Sequence, residues 1–224
     1  MLTFNELIEA LRNRLQGPLP GMQAQLAMAP DYRQDPKQLQ IEGKACQEAA
    51  VLIPLYPDGQ RPMMLLIARP MHLKAHGGQI SFPGGRREAE EPLWQTALRE
   101  TTEELGIPTD ALTLLGPLTP LYIPVSNFCV HPFVGSLQTL PPLKPCSEEV
   151  AAVLHVPLEQ LLDPDARRCA LWNVRGRAAW VPFFEVETYR IWGATAMILA
   201  EFLALVRTLP QLHAPPASTD LSCS

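Results

Sequence analysis

An α/β fold, in which a mixed sheet is layered between helices as an α/β/α sandwich, is predicted by three features of the chain. Short apolar runs alternate with longer stretches of helical periodicity. Glycine and proline, 13 and 24 of the 224 residues, punctuate those runs. The apolar share of 47% supports one domain with a sizeable core, and the length is too short for two full ones.

The first element is a helix over Thr3 to Leu15. Thr3 and Glu6 stand at capping-box spacing, and Leu2, Phe4, Leu7, Ile8 and Leu11 fall near one face. That face suits packing on the domain or a dimerisation arm equally, so a homodimer stays open. From Gln16 to Gln40 the prolines Pro18, Pro20, Pro30 and Pro36 predict an extended connector. Residues 1–44 therefore read as helix and connector, 45–210 as the compact domain, and 211–224 as a tail. The tail carries Pro215, Pro216 and three serines with little to bury, and predicts disorder.

Ala49 to Tyr56 and Met63 to Ile67 predict a hairpin turned by Pro57-Asp58-Gly59. A glycine-rich loop over 75–85 follows. A helix from Pro92 to Leu105 comes next, with Pro92 at its first position, Gly106 at C′, and Leu93, Ala97, Leu98, Thr101 and Leu105 as its buried stripe. Strands are expected over Leu112–Leu115, Phe128–Leu137, Ala151–Val156 and Ala178–Val186. Leu158–Leu162 reads as a helical turn or two, and Gly193–Val206 as a closing helix. The most apolar window, Ile191 to Leu209, contains Glu201 and Arg207, and reads as a buried amphipathic helix rather than a membrane span.

The net charge of -5 argues against a nucleic-acid groove, although a cation can still bring a polyphosphate to an acidic chain. Five cysteines, an odd number without a CxxC pair, predict reduced thiols in the cytoplasm. The N-terminus shows no secretory leader pattern.

Arg99-Glu100-Thr101-Thr102-Glu103-Glu104 is the most informative stretch. On a helix Glu100, Glu103 and Glu104 stand at i, i+3 and i+4, where their charges repel. A hard divalent cation such as Mg²⁺ or Mn²⁺ would relieve that repulsion through oxygen ligands. From the helix alone, a solvated acidic face explains the spacing equally well. No serine or cysteine sits in a G-x-S-x-G nucleophile setting.

From Gly85 to Ile107 the chain reads G-x5-E-x7-R-E-T-x-E-E-x-G-I, which resembles the Nudix box. Thr101 departs from the aliphatic residue usual at its position. The resemblance implies a Nudix α/β/α sandwich and a metal-dependent hydrolase of diphosphate linkages using Mg²⁺ or Mn²⁺. It further implies Glu100 and Glu104 as metal ligands, Glu103 as a third ligand or the water-activating base, and Arg99 paired with Glu91 to hold the loop. Gly84 and Gly85 would allow a tight turn, with a carbonyl there reaching the metal.

Upstream, Leu65-Leu66-Ile67-Ala68-Arg69-Pro70, Lys74, Gly78 and Phe82-Pro83-Gly84-Gly85 resemble the signature of Nudix enzymes that hydrolyse coenzyme A. Ile67, Pro70 and Lys74 depart from it. This resemblance implies coenzyme A or an acyl-CoA as the small-molecule substrate, 3′,5′-ADP and 4′-phosphopantetheine as products, and Arg69, Lys74, His76 and Gly78 as substrate contacts. The rivals are a Nudix hydrolase of ADP-ribose, NADH or a dinucleoside polyphosphate, and a non-catalytic Nudix ligand-binding domain. Arg86 and Arg87 are expected to face solvent, His131 and His155 to be structural, and Glu149 to be a further ligand, a base or a plain surface acid.

Overall fold

A computed structural model describes residues 3–72, 77–174 and 176–209. The tail expected from 211 lies outside them.

Two central strands carry the domain. β1 (Gln47–Asp58) and β2 (Arg61–Ala68) form the expected hairpin. Asp58 faces Arg61, so the turn is Gly59-Gln60, shorter than the Pro-Asp-Gly turn expected; Gly59 supplies the positive φ (61°) it needs. Both strands are apolar on both faces because each face is covered. In β2, Met64, Leu66 and Ala68 enter one core while Met63, Leu65 and Ile67 enter the other. β1 divides likewise, with Ile53 and Leu55 against Leu52 and Tyr56. A strand buried on both sides loses its polar alternation and reads as one apolar run.

The sheet is mixed, as predicted. β7 (Phe128–Leu137) runs parallel to β1. β3 (Ile80–Ser81) and β8 (Ala152–Pro157) pair with β2, β4 (Gly84–Arg86) pairs with β1, and β5 (Leu112–Pro117) and β6 (Leu121–Ile123) pair with β7, all antiparallel. α3 (Leu93–Leu105) covers one face through Ala97, Leu98 and Leu105. α1 (Phe4–Arg14) and α5 (Gly193–Arg207) cover the other.

α1 shows the expected capping box, with Glu6 N–H donating to Thr3 Oγ1 and Thr3 N–H to Glu6 Oε2. Its apolar face, Phe4, Leu7, Ile8 and Leu11, is buried in the chain's own core. The connector is less extended than expected, for Gly21–Leu26 forms a short helix, α2, against α5. Pro92 stands one position earlier than predicted, as the N-cap of α3 with ψ at 139°. After α4 (Leu158–Leu162) the chain builds a separate three-stranded sheet from β9 (Arg167–Val174), β10 (Arg177–Val186) and β11 (Tyr189–Trp192). Only β10 was legible in the sequence, because β9 and β11 are narrow, half-exposed strands rich in polar residues.

Two expectations need correcting. Cys46 and Cys129 are joined in a disulfide rather than present as free thiols. The parallel register sets Glu48 opposite Cys129 and so brings together two cysteines 83 residues apart, a proximity that spacing along the chain hides. Glu201 does not mark a polar face of α5. It is fully buried, and accepts from Gly21 N–H (3.1 Å), Gln25 Nε2 (2.8 Å), Thr119 N–H (3.2 Å) and Thr119 Oγ1 (2.6 Å). This carboxylate ties α2, the segment before β6 and α5 into one body. Among the described residues no helix is long and apolar enough to cross a membrane.

Glu201→Leu would leave those donors buried without partners, at a cost of about 3 kcal/mol. The expected outcome is a fall in Tm of about 6–12 °C by calorimetry. A fall below about 2 °C would show that the network does not hold these segments.

Candidate active site

The site begins with a close approach of backbone to helix. Gly84 has φ of 148°, and a Cβ there would run into the Ala50 carbonyl and Val51 of β1. A Cβ on Gly85 would collide with the Glu100 carboxylate. Two glycines in succession thus let β4 lie against β1 on one side and α3 on the other. Leu105 ends the helix, and Gly106, at φ 69°, closes it in the left-handed conformation expected.

Glu104 lies where these elements meet. It is 1% exposed, and its Oε2 accepts from Gly84 N–H at 2.8 Å. Burial pushes its carboxyl up to about 8, against the opposing pull of that hydrogen bond and of Arg69, with Glu100 and Glu149 adding repulsion. Arg69 Nη1 stands 3.9 Å from Glu104 Oε1, close enough for attraction and too far for a hydrogen bond. Glu100 is also pushed up, first by burial and then by Glu103 and Glu149, while Arg99 opposes the shift. Glu100, Glu104 and Glu149 therefore share one field, although Glu149 comes from the turn before β8.

Arg99 organises the other side of the helix. Its Nη2 donates to Glu91 Oε1 (2.9 Å) and to the Arg86 carbonyl (3.1 Å), and its Nε to Glu91 Oε2 (3.3 Å). Its Nη1 donates to Glu100 (2.9 Å) and Glu103 (3.0 Å). The Arg99 hydrogen bonds hold the Glu91 carboxyl down at about 2, helped by Glu88 N–H and Thr96 Oγ1. The loop is thereby pinned to the helix by a forked donor that a lysine cannot reproduce. Arg87, expected in solvent, instead pairs with Glu48 and donates to the Glu91 carbonyl (2.7 Å); Arg86 is exposed as expected.

Thr101, the departure in the motif, is fully buried and satisfies its hydroxyl on the Ala97 carbonyl at 2.7 Å. It fills the volume of an aliphatic residue without leaving a polar atom unpaired. Gly78, at φ 72°, closes the loop after β2 by donating to the Arg69 carbonyl. Lys74 and His76 lie outside the described residues. His131 is largely buried, and burial pushes its imidazole down. His155, exposed on β8, bonds Tyr56 through Nδ1 at 2.7 Å.

The donor set around Glu104 and Glu100 consists of hard oxygens. Among the described residues no three carboxylates, imidazoles or thiols are already gathered at metal-ligating distance. Glu103 is 55% exposed and leans to Arg99, away from Glu104. Glu104, buried, and Glu100, largely buried and shared with Arg99, nonetheless lie beside the Gly85 backbone as acids that burial disfavours as carboxylates, which suits a divalent cation.

A sheet-borne loop delivering clustered carboxylates from the following helix defines a class of hydrolase that acts on diphosphate bonds. The NUDIX domain family matches residues 47–172, and the chain belongs to that family. It is 36% identical over 167 residues to "Uncharacterized Nudix hydrolase NudL" of Salmonella paratyphi B, covering 73% of this chain and 85% of that protein. The same figures hold for the NudL of Salmonella newport. Among solved structures, the Nudix hydrolase RenU of M. smegmatis superposes with a TM-score of 0.52 at 19% identity, covering 75% of this chain and 90% of that one, a likeness of fold. Nudix hydrolases generally use divalent ions such as Mg²⁺ or Mn²⁺.

Two outcomes follow. A carboxyl raised on folding contributes stability to the metal-free protein that is fully present below about 4.5 and is lost as pH rises through about 8. In EDTA, Glu104→Gln should therefore melt above the wild type at pH 9 and level with it at pH 5; parallel melting curves across that range would refute the burial argument. Arg99→Lys keeps the charge and loses the fork, and should lower diphosphate hydrolysis about 10–100-fold. Steady-state rates check this, and a change below threefold would show that the fork does not organise the loop.

Proposed function

We propose that this Nudix hydrolase cleaves the diphosphate of coenzyme A or an acyl-CoA, releasing 3′,5′-ADP and 4′-phosphopantetheine. The observation that carries the reading is Arg69, which stands beside Glu104 with its guanidinium unsaturated. It belongs to the Leu65–Gly85 pattern, which is the part of the sequence that resembles enzymes of this substrate. A cation there suits a substrate with a diphosphate and a further phosphate on its ribose.

Glu100 and Glu104, with the Gly85 carbonyl, would hold the divalent ion. When bound, the ion neutralises charge on the diphosphate oxygens and acidifies a water. Glu103, the most exposed acid of the helix, is assigned the water-activating role, and Glu149 is the second candidate. Arg99 and Glu91 keep the loop rigid. Arg69 receives a phosphoryl oxygen, with Gly78 shaping the loop beside it and Lys74 and His76 as further contacts.

The test is to incubate the protein with Mg²⁺ or Mn²⁺ and coenzyme A, dephospho-coenzyme A, ADP-ribose, NADH and a dinucleoside polyphosphate, then identify products by mass. Coenzyme A should be cut fastest, and a preference for ADP-ribose would overturn the substrate assignment. Mn²⁺ should raise the Tm of the wild type and not that of Glu100→Gln or Glu104→Gln. Unchanged hydrolysis by Glu104→Gln would remove this site from the chemistry.

A further inference from the structure

We infer that Ser81 is a phosphate-holding residue, and that its hydroxyl and the Nε of Arg69 form a two-donor seat for one non-bridging oxygen of the substrate's diphosphate. The inference rests on the reading of this site as a diphosphatase and adds to it a residue at a position that the upstream pattern leaves unspecified.

Ser81 Oγ and Arg69 Nε are both buried and have no hydrogen-bond partner. A buried polar atom without a partner costs about 1–3 kcal/mol, and native structures rarely tolerate one. Two such donors on adjoining strands call for a common explanation.

Strand geometry places them on one face. Ile80 and Phe82 pack into the core beneath α1 and α5, so alternation turns Ser81 to the opposite side. Its cross-strand partner Ile67 packs in the core beneath α3. Arg69, two residues beyond Ile67, turns the same way, as its 3.9 Å approach to Glu104 shows. Pairing continues past β2, with Arg69 N–H donating to the Gln79 carbonyl at 2.9 Å and Gly78 N–H to the Arg69 carbonyl at 3.0 Å. Ser81 and Arg69 are thus diagonal neighbours, with Cβ atoms about 7 Å apart, a separation within reach of a long side chain.

The surroundings select an anionic oxygen. Glu104, at 3.9 Å, is too distant to hydrogen-bond the guanidinium, and the Arg69 side chain is not wholly enclosed, at 28% exposed. A hydroxyl and a guanidinium Nε on one face can donate to the same charged acceptor, and such bonds are the stronger kind. Among the described residues the two other orphaned atoms are Gln25 Oε1 of α2 and His131 Nε2 of β7, the latter 3.9 Å from Glu48 Oε1.

The test uses the full chain. Inorganic pyrophosphate with Mg²⁺ is titrated calorimetrically into the wild type, Ser81→Ala and Ser81→Thr, and KM and kcat are measured on the substrate that the wild type cleaves. Ser81→Ala should weaken pyrophosphate binding about tenfold and raise KM by a similar factor, while the Tm of the ligand-free protein does not fall. Ser81→Thr, which keeps the hydroxyl on a strand-compatible side chain, should restore both. Ser81→Ala binding within twofold of the wild type overturns the seat, as does equal weakening in the threonine variant. A wild type that does not bind pyrophosphate overturns it too. If the wild type binds pyrophosphate and Ser81→Ala weakens it, but no nucleotide diphosphate is cleaved, the seat stands and the proposed function fails.

Discussion

The Glu104 carboxylate, buried against the Gly84 amide, is the interaction on which the site depends. It joins α3 to β4 at the point where neither has room for another side chain. A carboxylate with only one amide bond and a distant guanidinium is poorly compensated for the water it has lost. The repulsion it shares with Glu100 and Glu149 is held in place by a scaffold that cannot relax: a glycine pair against β1 on one side and the Arg99 fork on the other. Such a cluster of acids, disfavoured as carboxylates by burial and mutual repulsion, is what the proposed cation site rests on.

The scaffold gains its stiffness from both faces of the sheet. β1 and β2 are apolar throughout because α3 covers one side and α1 with α5 the other. On the far face, Glu201 is buried as Glu104 is, yet every oxygen it presents meets donors from α2 and the segment at Thr119. The contrast between these two buried glutamates separates architecture from chemistry. The fully bonded one ties segments together, and the sparsely bonded one lies in the proposed metal site.

The mixed sheet, the α3 boundaries to within a residue, the Arg99–Glu91 pair and the family were legible in the sequence. Each depends on local spacing: apolar runs, a capping box, a glycine at C′, charges at helical intervals. β9 and β11 were not legible, since their side chains are half-exposed and their only partner is β10. Arg87 escaped for a similar reason, because Glu48 reaches it only once β4 lies on β1. The orphaned hydroxyl of Ser81 gave no sequence signal at all; an unpaired atom is a property of surroundings.

By itself the sequence determined which residues could share a helical face, where the chain had to turn, and hence the kind of chemistry available, since these follow from spacings of a few residues and the short reach of backbone geometry. The tertiary structure alone decided which of the acids is buried without compensation, which cysteines meet, and which side of the sheet Ser81 and Arg69 share. Burial and desolvation arise from chain segments far apart in sequence, and nothing along the chain encodes their distance until the sheet has brought them together.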